Sequence, residues 1–147
     1  MTDDKTLYTA RTLPFSPEEI YSAFASSDLL AEWWGPEGFT NTFDLFEFWP
    51  GGRWVFVMHA PDGTDYANTS TFENLEPNAN IVIHHDCPPQ FRLTIGLKAQ
   101  GRGTHVTWTQ VFENTQTARA VRERAGPANE QNLDRLTRVL EQARYPR

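Results

Sequence analysis

The chain has 147 residues, 39% of them hydrophobic, with one cysteine and a formal net charge of −6. That length suits one domain with a real core rather than two, and the acidic balance opposes binding to nucleic-acid backbones or anionic membranes. No apolar run reaches the ~18 residues of a membrane span, and the opening MTDDKTLYTA has no signal-peptide pattern. With the lone Cys87 unable to form an internal disulfide, the expected setting is the cytoplasm.

KTLYTARTLP alternates as a first strand. FSPEEI then opens a helix with four signals at fixed offsets. Ser16 is the N-cap, Pro17 takes the first helical position, Glu19 completes a capping box, and Phe15 and Ile20 form a hydrophobic staple. This helix is expected to run to about Ala25. SSDLLAEWWGP supplies a second cap and a second short helix, ended by Gly35 and Pro36. Neighbours on a helix point about 100° apart, so Trp33 and Trp34 cannot share one narrow stripe. Either both pack in the core, or one packs while the other lines or lids a cavity.

Six strand-like runs follow: TNTFDLFEFW, RWVFVMHA, TDYANTSTFENL, IVIHH, FRLTIGLKA and THVTWTQVF. Turn chemistry separates them, from Pro50-Gly51-Gly52 to Gly101-Arg102-Gly103, and such short breaks favour antiparallel neighbours. Period-two alternation puts Trp54, Phe56 and Met58 on one face. It does the same for Phe91, Leu93, Ile95 and Leu97, and for Val106, Trp108, Gln110 and Phe112. TQTARAVRERA reads as a helix that breaks at Gly126-Pro127. ANEQNLDRLTRVLEQAR reads as the last helix, with Leu133, Leu136 and Leu140 in one stripe. The expected fold class is α+β: one long C-terminal helix across a curved antiparallel sheet of about seven strands, with a short helix pair after strand one. A straight helix cannot fill a strongly curved sheet along its whole length, so a cavity with aromatic walls is expected between them.

The stretches WWGPEGFT, PGGRWVFVMHAPDGTDY, PPQFRLTIGL, GTHVTWTQVF and ANEQNLDRL, in that order, resemble the START-like (SRPBCC, helix-grip) superfamily. The branch is the one named after the activator of the heat-shock-protein-90 ATPase and grouped with polyketide-cyclase-like proteins. The resemblance covers nearly the whole chain. It implies a single START-like ligand-binding domain over residues 1–147, with the C-terminal helix closing a hydrophobic cavity. Two positions depart from the pattern. Trp49 stands where many relatives carry a basic residue before Pro-Gly-Gly, and Ala128-Asn129 where many carry Gly-Trp. The chaperone activator has a further domain that makes much of its chaperone contact, for which this chain leaves no room.

HHDCPP, residues 84–89, contains metal-ligand types, but His84 and His85 face opposite sides of a strand. No further pair completes a tetrahedral set, so no metal and no cofactor are expected. Cys87 lacks the electropositive setting of a reactive thiol, and Asp86 beside it acts the other way. By the family pattern His85 points inward, where it would need a partner, and Gln110 is either that partner or a ligand contact. Three arginines in RAVRERA read first as a solvated face and second as a site for carboxylate or phosphate.

The expected ligand-binding residues are Trp34, Phe46, Trp54, Phe56, Met58, Tyr66, His85, Phe91, Leu93, Trp108 and Gln110, with Asn129, Asn132, Leu133 and Leu136 closing from the helix. Three functions are open. The first is binding of a hydrophobic or aromatic small molecule. The second is a cyclase- or hydrolase-type enzyme with His85 moving a proton. The third is a protein-interaction module with a chaperone as partner. Edge strands and Trp49 make a homodimer reasonable.

Overall fold

The computed structural model describes residues 4–144. The elements in chain order are β1 (Thr6–Leu13), α1 (Pro17–Ala25), α2 (Ser27–Trp33), β2 (Thr40–Phe46), β3 (Arg53–His59), β4 (Asp65–Glu76), β5 (Asn80–His85), β6 (Phe91–Gln100), β7 (Gly103–Phe112) and α3 (Thr115–Arg144). The seven strands form one antiparallel sheet in the order β1-β7-β6-β5-β4-β3-β2. The α+β helix-grip architecture expected from the sequence is the one observed.

Local signals account for the helix starts. Ser16 Oγ accepts from Glu19 N at 3.1 Å while the Glu19 carboxylate accepts from Ser16 N at 3.0 Å, which satisfies two otherwise orphaned amides at once. Ser26 caps α2 with a single bond, its Oγ accepting from Leu29 N at 3.3 Å.

One boundary differs from the sequence reading. Helix α3 runs unbroken through Gly126 and Pro127. Proline disfavours helix at the preceding residue by colliding with its Cβ and amide, and Gly126 has no Cβ. Tertiary contacts hold both sides, with Ala118 buried before the proline and Asn129, Asn132 and Leu133 buried after it.

The core gathers under the C-terminal half of α3. Leu133 and Leu136 are fully buried and pack in one cluster with Ile81, Ile95, Val106, Trp33, Trp34, Trp54 and Trp108. Burial of each leucine side chain contributes about 2 kcal/mol. A second, smaller cluster of Leu7, Phe112 and Ala118 lies under the first turns of the same helix, with Val121 and Ala125 against it. Between these clusters the inner face of α3 carries Ala125 and Ala128, side chains too short to reach the floor of a curved sheet.

Candidate functional site

The space under those alanines is an open cavity of about 680 Å³, within the range of roughly 300–1,000 Å³ typical of small-molecule sites. Its floor is the concave sheet face. Tyr66, Asn68 and Ser70 alternate along β4, Ile83 and His85 along β5, Phe91 and Leu93 along β6, and Trp108 and Gln110 along β7. Register sets these residues side by side: Ser70 pairs with Trp54 on one flank and His85 on the other, and His85 pairs with Phe91. His85 also stacks on the Phe91 ring, centroids 4.5 Å apart.

The segment after α2 forms one wall. Trp33 is fully buried and donates from Nε1 to Ala23 O at 3.0 Å. Trp34 lines the cavity, with its ring centroid 5.1 Å from Trp54 and 5.9 Å from Trp108. One tryptophan therefore packs and the other forms wall. Gly35 follows with φ +99°, and a Cβ there would meet Met58 Cε at 2.8 Å, so only glycine makes this turn against the cavity without displacing a neighbour.

Helix α3 holds that wall in place. Arg135 donates to five main-chain carbonyls: Glu32 at 2.7 Å, Trp34 at 3.1 Å, Gly35 at 3.0 Å, Pro36 at 2.9 Å and Phe39 at 2.9 Å. Asn132 Oδ1 accepts from Gly35 N at 2.8 Å, Gln131 Oε1 accepts from Glu37 N at 3.0 Å, and Arg138 pairs with Glu37. Burial pulls the Arg135 pKa below its ordinary value.

Few polar atoms face the interior. Asn129 Nδ2 donates to Gln110 Oε1 at 3.0 Å, so Gln110 pairs with the helix and not with His85. Among the described residues, the buried Trp54 Nε1 and Trp108 Nε1 have no hydrogen-bond partner, and Trp108 lines the cavity. His85 Nδ1 lies 2.9 Å from Pro89 O, and Nε2 lies 2.7 Å from Asn68 Oδ1 and 3.3 Å from Cys87 Sγ. The Asn68 amide is oriented by its own donation to Tyr66 O at 2.9 Å. Burial pushes the His85 pKa below its ordinary value, against the opposing pull of Pro89 O and the Asp86 charge. A neutral ring has one proton for two facing acceptors.

On the outer side, Asp86 accepts from Arg53 at 2.5 Å and from Thr69 at 2.6 Å. No group of three or more His, Cys, Asp or Glu among the described residues is arranged to hold a metal ion.

Of the residues expected at the site, Trp34, Phe56, Met58, Tyr66, His85, Phe91, Leu93, Trp108, Gln110, Asn129 and Asn132 line the cavity. Trp54, Leu133 and Leu136 lie in the packed core beside it, and Phe46 packs against that core. Asn68 and Ser70 were missed, although alternation from Tyr66 along β4 points to both. Arg124, Ala125 and Ala128 were missed because a break at Gly126-Pro127 would have detached them from the roof.

A long helix laid over a curved antiparallel sheet, with an open aromatic cavity between them, defines a START-like helix-grip protein. The family model described as Activator of Hsp90 ATPase homolog 1-like protein matches residues 14–141, and the chain belongs to that family. Among curated proteins no sequence relative was found. Solved structures share the fold across nearly the whole chain. A Nitrosomonas europaea protein superposes with a TM-score of 0.87 at 17% identity, covering 97% of this chain and 98% of its own. A Chromobacterium violaceum protein gives 0.81 at 23%, covering 95% and 99%. The AHSA1-like protein from Aeromonas hydrophila gives 0.77 at 21%, covering 94% and 93%. Among the described residues no helix is long and apolar enough to cross a membrane.

Proposed function

We propose that the chain, as one domain over residues 1–147, binds a hydrophobic or aromatic small molecule in the cavity between the sheet and α3. The observation that carries this reading is an open space of about 680 Å³ with aromatic walls and the unpartnered Trp108 Nε1 on its lining. Burying ~200 Å² of apolar ligand surface contributes about 5 kcal/mol before association costs, which is compatible with micromolar binding. Family membership is in keeping with it. A cytoplasmic setting belongs to the same proposal, supported by the single cysteine and the acidic composition.

Tryptophan fluorescence tests it. Trp34 and Trp108 line the cavity, while Trp49 is 56% exposed, so a Trp49→Phe background removes the solvent-facing reporter. Titration with a panel of aromatic and lipidic compounds is expected to quench or shift emission. Ala128→Phe, which projects a ring into the same space, is expected to abolish the response while the protein stays folded by circular dichroism. A flat response across the panel overturns the reading.

One observation favours the cyclase- or hydrolase-type alternative. His85 faces two acceptors with one proton, so taking up a second proton completes both hydrogen bonds. In that case His85→Ala removes turnover while leaving ligand affinity intact. Equal loss of both speaks against it.

A further inference from the structure

We propose that the ligand is an amphipathic monocarboxylate, with its apolar body in the cavity and its carboxylate at Arg124 on the rim. This rests on the cavity-binding reading above and names the chemical class it selects. The five other arginines of α3 each have a partner. Arg119 pairs with Asp4, Arg122 donates to Asp4 O, Arg135 gathers main-chain carbonyls, Arg138 pairs with Glu37, and Arg144 pairs with Glu19. The Arg124 side chain has no ion pair or hydrogen bond among the described residues, and it is the cationic side chain on the cavity lining. It is exposed, and it stands one turn from Ala128 on the lining face of the helix, beside Ala125. Those short neighbours leave its approach from the cavity unobstructed.

The carboxylate on the lining, Asp65, does not neutralise it. Asp65 Oδ1 is engaged by His59 Nδ1 at 2.7 Å, and no ion pair joins it to Arg124. The two ends of the site therefore differ in kind. Inside, the polar groups are neutral: the Ser70 hydroxyl and the Gln110 and Asn132 amides. At the rim stands one guanidinium, whose planar fork matches a carboxylate with two parallel hydrogen bonds. A dianionic phosphate would bring a second negative charge to a chain already at −6 with one cation to meet it, which favours the monoanion.

The test uses the full chain and two matched pairs of probes: 2-naphthoate with 2-naphthamide, and dodecanoate with dodecanamide. Within at least one pair the carboxylate is expected to bind about five-fold tighter than its amide at low salt, the scale of one exposed charge-assisted pair. Added salt should shrink that preference. Arg124→Gln is expected to erase it by weakening the carboxylates more than the amides, and Arg124→Lys to restore part of it. Arg119→Gln, a charge removed from the same helix, is expected to leave it intact. Equal affinities for acid and amide in the wild type, or a preference that survives Arg124→Gln, overturn the assignment with the cavity reading still standing. Failure of all four probes to bind up to their solubility limits overturns both.

Discussion

Asn129 Nδ2 and Gln110 Oε1 meet at 3.0 Å across the roof of the cavity, tying α3 to β7. Both residues are nearly buried, at 8% and 7% exposure, so each partner protects the other from an unmet desolvation cost. Gln110→Leu strands the Asn129 donor and is expected to cost about 1–3 kcal/mol. The double replacement with Asn129→Leu should cost less than the two single changes summed, because both polar groups then leave together. Urea unfolding of the four proteins measures this. Strict additivity would show that the pair is not coupled.

Arg135 is the tie between α3 and the segment that forms the Trp34 wall. Five carbonyls converge on one guanidinium, and no replacement side chain offers the same fork. Arg135→Met is expected to destabilise by about 3 kcal/mol, the scale of losing a partly buried, charge-assisted network. For a chain of this size that lowers Tm by roughly 6–12 °C. Arg135→Lys should recover only a minor part, since an ammonium cannot span all five acceptors. A melting temperature within about 1 °C of wild type for Arg135→Met would show that the segment holds itself.

Acid stability should report on Asp86. Burial works to raise its pKa, but hydrogen bonds from Arg53 and Thr69, the Arg53 charge and a bond from Thr71 together pull it from 3.8 to about 2. The folded protein thus keeps this carboxylate ionised below the pH at which the unfolded chain takes up the proton. The stabilisation is present in full above the unfolded pKa and is lost as pH falls from about 4 to about 2. With both side chains partly exposed to solvent, screening reduces it to about 1 kcal/mol. Arg53→Met should flatten the stability-versus-pH curve across that window while changing its slope little near neutrality. An unchanged slope between pH 4 and 2 would remove Arg53 as the cause.

The elements legible in the sequence were those whose determinants lie close together along the chain. The Ser16–Glu19 capping box spans three residues and formed as read. Period-two alternation assigned Trp54, Phe56, Leu93 and Trp108 to the inner face because a strand alternates whatever it pairs with. The sheet, the helix over it and the existence of a cavity followed from such local rules.

The division between wall and core did not. Leu136 and Ala125 belong to the same face of α3, yet one fills the space beneath it and the other leaves it open. That outcome depends on where each falls over the curved sheet, and so on the helix crossing Gly126-Pro127 without a break. The partners of Arg135 lie about 100 residues away in the chain, and the isolation of Arg124 depends on where every nearby carboxylate ends up. The sequence by itself determined the elements and their inner faces, through dihedral preference and periodicity. Only the tertiary structure decided which side chains meet, because contacts between distant residues exist once the helix has been laid on the sheet and not before.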